Sequence, residues 1–215
     1  MRKNGGGEAE GCQDSAFSAI CLLVSLRALQ IFLLLAMSLV LSGMLARGEL
    51  STGKAYSVSF VDIDGNKHST ADGHVTIVVL TTSADREQAR TVGDHVPGFC
   101  LGNSEYRMIT IVHFTGRHMT MGRRIATAFI RHRVGEATKR LQARYDALKI
   151  SRDAKSDIFV VTDFDGAIAS QLGQPAGATE FCVFVFGKSG QLEAQWHSVP
   201  SMDELAAAIK KSKSD

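Results

Sequence analysis

Apolar and polar positions divide the chain into two parts. From Ala28 to Ala46 the sequence reads "ALQIFLLLAMSLVLSGMLA", nineteen residues without a charge. A helix of that length can cross a bilayer. Beyond about residue 47 the pattern becomes that of a folded domain. Tyr56, Val58 and Phe60 alternate with small or polar residues, the two-residue period of a half-buried strand. Asp62 to Asn66 supply aspartates, Gly65 and Asn66, which is hairpin-turn chemistry. "HVTIVVLTTS" at 74–83 is an unbroken, β-branched run, as in a strand buried on both faces. "YRMITIVHF" at 106–114 predicts a second such strand. Between them "ADREQARTVGDH" predicts a helix, with Thr82-x-x-Asp85 or Ser83 as its cap.

The longest helical signal runs from about Met121 to Ile150. Ile125, Phe129, Val134, Ala137, Leu141, Tyr145 and Leu148 recur at spacings of three to five, which predicts one apolar face. Gly135 is expected to kink or divide this helix. "SDIFVVTDFDG" reads as a third apolar strand ending at Asp163, and "AIASQLG" as a short helix closed by Gly173. "TEFCVFVFGKSGQLEAQWHS" is a hairpin turning at Gly187 to Gly190. "SMDELAAAIKK" is a last helix with Ser201 and Glu204 as a capping box. The order is hairpin, β, α, β, α, β, short α, hairpin, α. It predicts a three-layer α/β sandwich on a mixed central sheet.

Composition agrees with this picture. Of 215 residues, 45% are hydrophobic and only three are proline, so wholesale disorder is excluded. A formal net charge of +2 gives no reason to expect a nucleic-acid partner. Arg2, Lys3 and Arg27 precede the apolar stretch, which suits a cytoplasmic N-terminus. Residues 1–46 are therefore expected to be a signal peptide or a membrane anchor, 47–55 a linker and 56–212 the domain. Ala46 could end a signal peptide, but Met44 is bulky for the position two before it. A buried core helix is disfavoured because the stretch is too uniformly apolar. Either export reading puts the domain outside the cytoplasm, in the periplasm or an equivalent compartment. An uncleaved segment would hold it to the inner membrane through residues 28–46.

Export matters for the cysteines. Cys12 and Cys21 precede or fall in the leader, leaving Cys100 and Cys182 in the domain, where disulfides can form. No C-x-x-C exists, so a dithiol centre or zinc knuckle has no local signature. Cys182, inside "FCVFVF", reads as a small buried hydrophobe. Cys100, in "VPGFCLGN", reads as a loop residue. A disulfide between them is open, and so is redox activity of either.

Three stretches, in this order, resemble the thioredoxin-like superfamily, and within it the exported thiol-disulfide oxidoreductase and alkyl-hydroperoxide-reductase (redoxin) branch. "FVDIDGNKHSTADGHVTIVVLTTSA" resembles that branch's opening hairpin, central strand and start of the active-site helix. "VVTDFDGAIASQLGQ" looks like its D-x-x-G-x-x-A-x-x-x-G-V segment. "FVFGKSGQLEAQWHSVPSMDELAAAI" is similar to its terminal hairpin and helix. The resemblance implies a redox cysteine just after the central strand. Here that place reads Thr81, Thr82, Ser83, Ala84, Asp85 and Arg86, with no cysteine. A cis-proline would fall near Ala178 and Thr179, whereas Pro175 is several residues early. Thiolate chemistry cannot run on a hydroxyl, so no catalytic residue is carried over.

Other motifs have plainer structural roles. Asp163-Phe164-Asp165-Gly166 looks like the nucleophile motif of haloacid-dehalogenase phosphatases. The same D-x-D-G occurs at Asp62 to Gly65 where hairpin-turn chemistry is read, and only 50 residues follow Asp165, so a strand-ending turn is the better reading. Between Arg117 and Lys155, eleven Lys and Arg face three acids. Arg123, Arg124, Arg131, Arg133, Lys139, Arg140 and Arg144 form a cluster that is either a solvated helix face or a surface for anionic partners, a protein or lipid headgroups. His113, His118 and His132 lack H-x-H or H-x-x-x-H spacing, so no metal is expected. Ser83 reads as a helix cap and Trp196 as a sheet-packing residue. No cofactor is implied. The expectation is an exported or membrane-tethered thioredoxin-like module without redox chemistry, engaging an unidentified protein partner. The alternative is a divergent thiol peroxidase or thiol-disulfide oxidoreductase using Cys100 or Cys182.

Overall fold

A computed structural model describes residues 49–114, 120–174 and 180–212. Residues 1–48, with Cys12, Cys21 and the apolar stretch 28–46, lie outside the described residues. So do His118, Pro175, Ala178 and Thr179. Among the described residues no helix is long and apolar enough to cross a membrane.

Strands β1 (Ser59–Val61) and β2 (Lys67–Ser69) form an antiparallel hairpin, a sheet of their own. The main sheet has five strands in the order β5-β4-β3-β6-β7. At its centre is β3 (Val75–Thr81), buried at every position. It pairs in parallel with β4 (Tyr106–His113), which pairs in parallel with β5 (Ile158–Asp163). On the other side β3 runs antiparallel to β6 (Cys182–Phe186), which turns into β7 (Leu192–Trp196). The unbroken apolar run of β3 thus marks a centre covered on both faces, as its sequence predicts.

Helices α1 (Arg86–His95) and α4 (Met202–Lys211) cover one face. Ala89, Val92, Leu205 and Ile209 pack there on Ile77, Val79 and Val183. The capping box of α4 is present: the Ser201 hydroxyl accepts from the Glu204 amide, and the Glu204 carboxylate accepts from the Ser201 amide. The other face is covered by the hairpin, through Val58 and Phe60, and by the short α3 (Ala167–Gln171), with Ala169 and Leu172. The result is the three-layer sandwich expected, on a mixed five-stranded sheet.

The remaining helix, α2 (Thr120–Ala147), departs most from expectation. It is continuous, so Gly135 does not divide it. It packs on β5 and on the short turn Ala154–Asp157. Ile130 and Tyr145 are its buried residues, whereas Ile125, Phe129 and Leu148 are exposed. The expected single apolar face fails at the five-residue step from Phe129 to Val134. At 3.6 residues per turn such a step rotates the face by about 140°. Ile125 and Phe129 therefore point away from the side that Val134, Leu141 and Tyr145 share.

Candidate functional site

Parallel strands β3, β4, β5 and the similarly directed β7 all end at one rim of the sheet, where β6 begins. This rim gathers several of the titratable groups singled out in the sequence, Asp85, His113, Asp163, Asp165 and Cys182 among them. Its first part is the turn from β3 into α1. Thr81 is buried, and its hydroxyl donates to the Thr82 carbonyl at 3.3 Å. The Thr82 hydroxyl donates to Asp85 Oδ2 at 2.7 Å and accepts from the Ala84 amide at 3.1 Å. Asp85 is the N-cap residue of α1, yet its side chain makes no cap hydrogen bond. Its carboxylate holds the turn through Thr82 instead. Ser83, an expected cap, is exposed and lies outside the helix, and Arg86 is exposed beside Glu87. The Thr82 hydroxyl is thus engaged as donor and acceptor in a local turn, with no imidazole among its partners to activate it as a nucleophile.

The second part joins β4 to β5. His113 and Asp163 are register partners at the strand ends. His113 Nδ1 lies 3.1 Å from Asp163 Oδ2. Asp163 is 1% exposed and also accepts the amides of Ala169 at 3.0 Å and Ile168 at 3.4 Å. Its lone pairs therefore serve the first turn of α3. A nucleophilic aspartate needs an open carboxylate, and Asp163 has none to offer, so the strand-ending turn is what the structure contains. Gly166 makes that turn with φ +74°; a Cβ there would sit 3.4 Å from His113 Cε1. Asp165 accepts the Ala167 amide at 3.2 Å. That amide, followed by smaller contributions that include the Arg123 charge, lowers its pKa. Phe164 stacks on Phe114 at 4.8 Å, and the Arg123 guanidinium sits over the Phe164 ring at 5.1 Å.

The third part holds Cys182, paired with Leu80 of β3. Gln174 Nε2 donates to its sulfur at 3.3 Å, and His197 Nδ1 lies 3.3 Å from it. Burial, with the charges of Glu180 and Glu49, pushes this thiol up to about 11 despite the Gln174 hydrogen bond. Cys100 lies in the core on the opposite face of the sheet, and burial pushes its thiol up to about 12. Both cysteines are free. The disulfide left open by the sequence does not form, because the sheet lies between the two side chains. Among the described residues no group of three His, Cys, Asp or Glu side chains could hold a metal ion.

The basic residues of α2 separate into two sets. Arg144 turns inward and donates to the Gly93 and Val96 carbonyls at 2.9 and 3.1 Å, closing the C-terminal end of α1. Arg131 donates to the Ile63 carbonyl of the hairpin turn at 3.1 Å. Arg133 pairs with Glu136 at 2.9 Å and covers the Phe129 ring at 5.1 Å. Arg124, Lys139 and Arg140 are exposed. Sequence reasoning did not pair His113 with Asp163, or Cys182 with His197. Both pairs depend on strand register, and neither has a local spacing signal.

No family model matches the chain, and no curated protein matches it. Solved structures with a similar chain path include the exposed lipoprotein thioredoxin of Streptococcus pneumoniae, at 12% identity and TM-score 0.46, covering 72% of this chain and 98% of that one. A secreted disulfide oxidoreductase of Mycobacterium tuberculosis gives 10% identity and TM-score 0.40, with 71% and 94% covered. A peroxiredoxin-like protein from Aquifex aeolicus gives 17% identity and TM-score 0.43, with 76% and 88% covered. The likeness is one of fold.

Proposed function

We propose that this chain is an exported or membrane-tethered thioredoxin-like module that binds or assists a partner without thiol redox chemistry. The observation that carries this reading is the turn after β3, where Thr82, Asp85 and the Ala84 amide close on one another and no thiol stands. The two described thiols support it. Redox catalysis needs a thiolate near neutral pH, and burial moves both in the opposite direction, to about 11 and about 12. The export part of the reading rests on the uncharged stretch 28–46 and the cations before it. The test is insulin reduction and peroxide consumption by the full chain. The expected outcome is no turnover above background. Turnover that disappears in Cys182→Ser or Cys100→Ser overturns the proposal.

One contact favours the second reading, a divergent thiol enzyme. His197 Nδ1 is within 3.3 Å of the Cys182 sulfur, and an imidazole is the usual activator of a catalytic thiol. Against it, Cys182 is fully buried and its carboxylate neighbours oppose the thiolate. The two readings part on the rate of alkylation at Cys182. An activated thiol reacts at neutral pH in the native state, whereas an inert one reacts only after unfolding.

A further inference from the structure

We infer that β7, the turn before it and the C-terminal end of α4 form a binding site for an alkali cation, with Glu193 as its one charged ligand. The inference goes beyond the partner-binding reading and does not depend on it. Its first ground is a bulge in β7. The pairing of β6 with β7 shifts register where Val185 faces Ala194 and Phe186 faces Leu192, so Glu193 is the extra residue. A bulge re-aims a side chain, and here the carboxylate turns inward: the Glu193 side chain is 0% exposed. Among the described residues neither of its oxygens has a hydrogen-bond partner. Lys211 Nζ lies 3.2 Å from Oε2 without hydrogen-bond geometry, and the Lys211 side chain is 63% exposed. Lys210, the other cation of that helix end, lies over the Phe99 ring instead. Lys211 thus offsets the charge from the solvent side at Oε2 alone. Oε1 is left as a buried anionic atom with no donor among the described residues, an arrangement that is costly unless something else compensates it.

The second ground is what surrounds Oε1. A methyl group placed on Gly187 would lie 3.6 Å from the Ser212 carbonyl oxygen, 3.7 Å from Glu193 Oε1 and 3.8 Å from the Gln191 carbonyl oxygen. Three oxygens, from the end of α4, from β7 and from the turn before it, therefore border one space beside Gly187. Ser212 is the C-cap of α4 and is buried, and the C-terminal end of a helix carries partial negative charge. The Gln191 carbonyl also accepts the Gly187 amide at 2.8 Å, which fixes the turn. Oxygens that repel one another across a buried space are drawn together by a bound cation. The donor set selects its kind. It holds no nitrogen or sulfur, which disfavours copper, nickel and zinc. Calcium takes about six to eight oxygens, with carboxylates prominent among them. One carboxylate, two neutral carbonyls and the adjacent Lys211 charge suit a single positive charge, sodium or potassium.

The test is thermal unfolding of the full chain in detergent, followed by far-ultraviolet circular dichroism. Chlorides of sodium, potassium, calcium and tetramethylammonium are compared at equal ionic strength. Tetramethylammonium is too bulky for the space beside Gly187 and reports screening alone. The expected result is a midpoint about 3 °C higher in sodium or potassium than in tetramethylammonium, saturating with concentration. Two variants locate the ion. Glu193→Gln removes the charged ligand. Gly187→Ala fills the space while leaving Glu193 and Lys211 in place. Gly187 does not have positive φ and the added methyl makes only ordinary contacts, so the fold is kept and its midpoint in tetramethylammonium should match the parent's. The increment should vanish in both variants and persist in Lys211→Met. Equal midpoints in all four salts overturn the proposal. So does an increment retained in Glu193→Gln or Gly187→Ala, which places the ion elsewhere. An increment lost in Lys211→Met means that salt acts through the Lys211 pair, which also overturns it. An increment in calcium alone overturns the alkali assignment.

Discussion

The two D-x-D-G turns present one local pattern in two settings. At Asp62 the first aspartate accepts the amides of Asp64 and Asn66 at 2.9 and 2.8 Å, the Asn66 side chain at 3.0 Å and a ring nitrogen contact from His68 at 2.9 Å. Every partner comes from within six residues. At Asp163 the amides come from α3, but the histidine is His113, fifty residues earlier on the neighbouring strand. In both turns the first aspartate is buried, the second is exposed, and the glycine takes positive φ, +90° at Gly65 and +74° at Gly166. The first turn is a self-contained hairpin cap. The second ties together β4, β5 and α3. A pattern that suggests a nucleophile is, in both places, an acceptor for orphan amides.

The largest difference should appear on removing the buried acceptors. Asp163→Ala leaves two helix amides and His113 without their acceptor and should lower the unfolding free energy by about 3 kcal/mol, read by urea denaturation followed through Trp196. Asp62→Ala should cost about 2 kcal/mol. Its effect on hydrogen exchange should stay within residues 59–69, whereas that of Asp163→Ala should reach β4 and α3. Spread of the Asp62 effect into the main sheet would remove the contrast.

Acid separates the regions next. Burial alone would raise the Asp62 pKa, but hydrogen bonds from His68, Asn66 and Asp64 outweigh it and bring it down. Nearby Asp72 behaves likewise. Burial would raise it, but Arg107, the Ser69 amide and His74 bring it to about 2. A carboxylate with a depressed folded pKa contributes stability above its unfolded pKa and loses it as pH falls through the folded one. The hairpin side should therefore lose stability between about pH 4 and pH 2. Asp72, about a third exposed, should account for roughly 1 kcal/mol after allowance for solvent screening. Asp72→Asn should flatten that acid limb in a pH series of denaturation curves. An unchanged limb would show that the Arg107 pair does not couple to folding.

Smaller effects should fall on the glycines. Gly65→Ala should cost about 1 kcal/mol for its positive φ. Gly166→Ala should cost somewhat more, since its Cβ also meets His113. Asp64→Ala and Asp165→Ala should stay within about 0.5 kcal/mol, as exposed substitutions do. A large loss at Asp165 would indicate that the hydrogen bond it accepts from the Ala167 amide carries more of the turn than the burial of Asp163 implies.

Much of the fold was legible because its signals are local. The unbroken run of β3, the turn at Gly187 to Gly190 and the capping box at Ser201 each concern residues that meet their neighbours in sequence. What was missed is long-range. The apolar spacing of α2 predicts one face, but the five-residue step from Phe129 to Val134 turns Ile125 and Phe129 away from the side that packs on the sheet. Arg144 belongs by sequence to the basic cluster, yet it turns inward because its acceptors, the Gly93 and Val96 carbonyls, come from 51 and 48 residues away. Of the rim, the cysteine-free run from Thr81 to Arg86 was legible, while the His113–Asp163 and Cys182–His197 contacts were not.

Residue order alone determined which segments are strands, which are helices and where the chain must turn, since backbone preference and side-chain period act over a few residues. It also determined that no thiol follows the central strand. Tertiary structure decided what each polar group faces. Strand register put His113 on Asp163, the sheet put Cys100 and Cys182 on opposite faces, and the packing of α2 left Ile125 and Phe129 exposed. The reason is physical. Hydrogen-bond partners and burial depend on which segments become neighbours, and that follows from packing the whole chain at once.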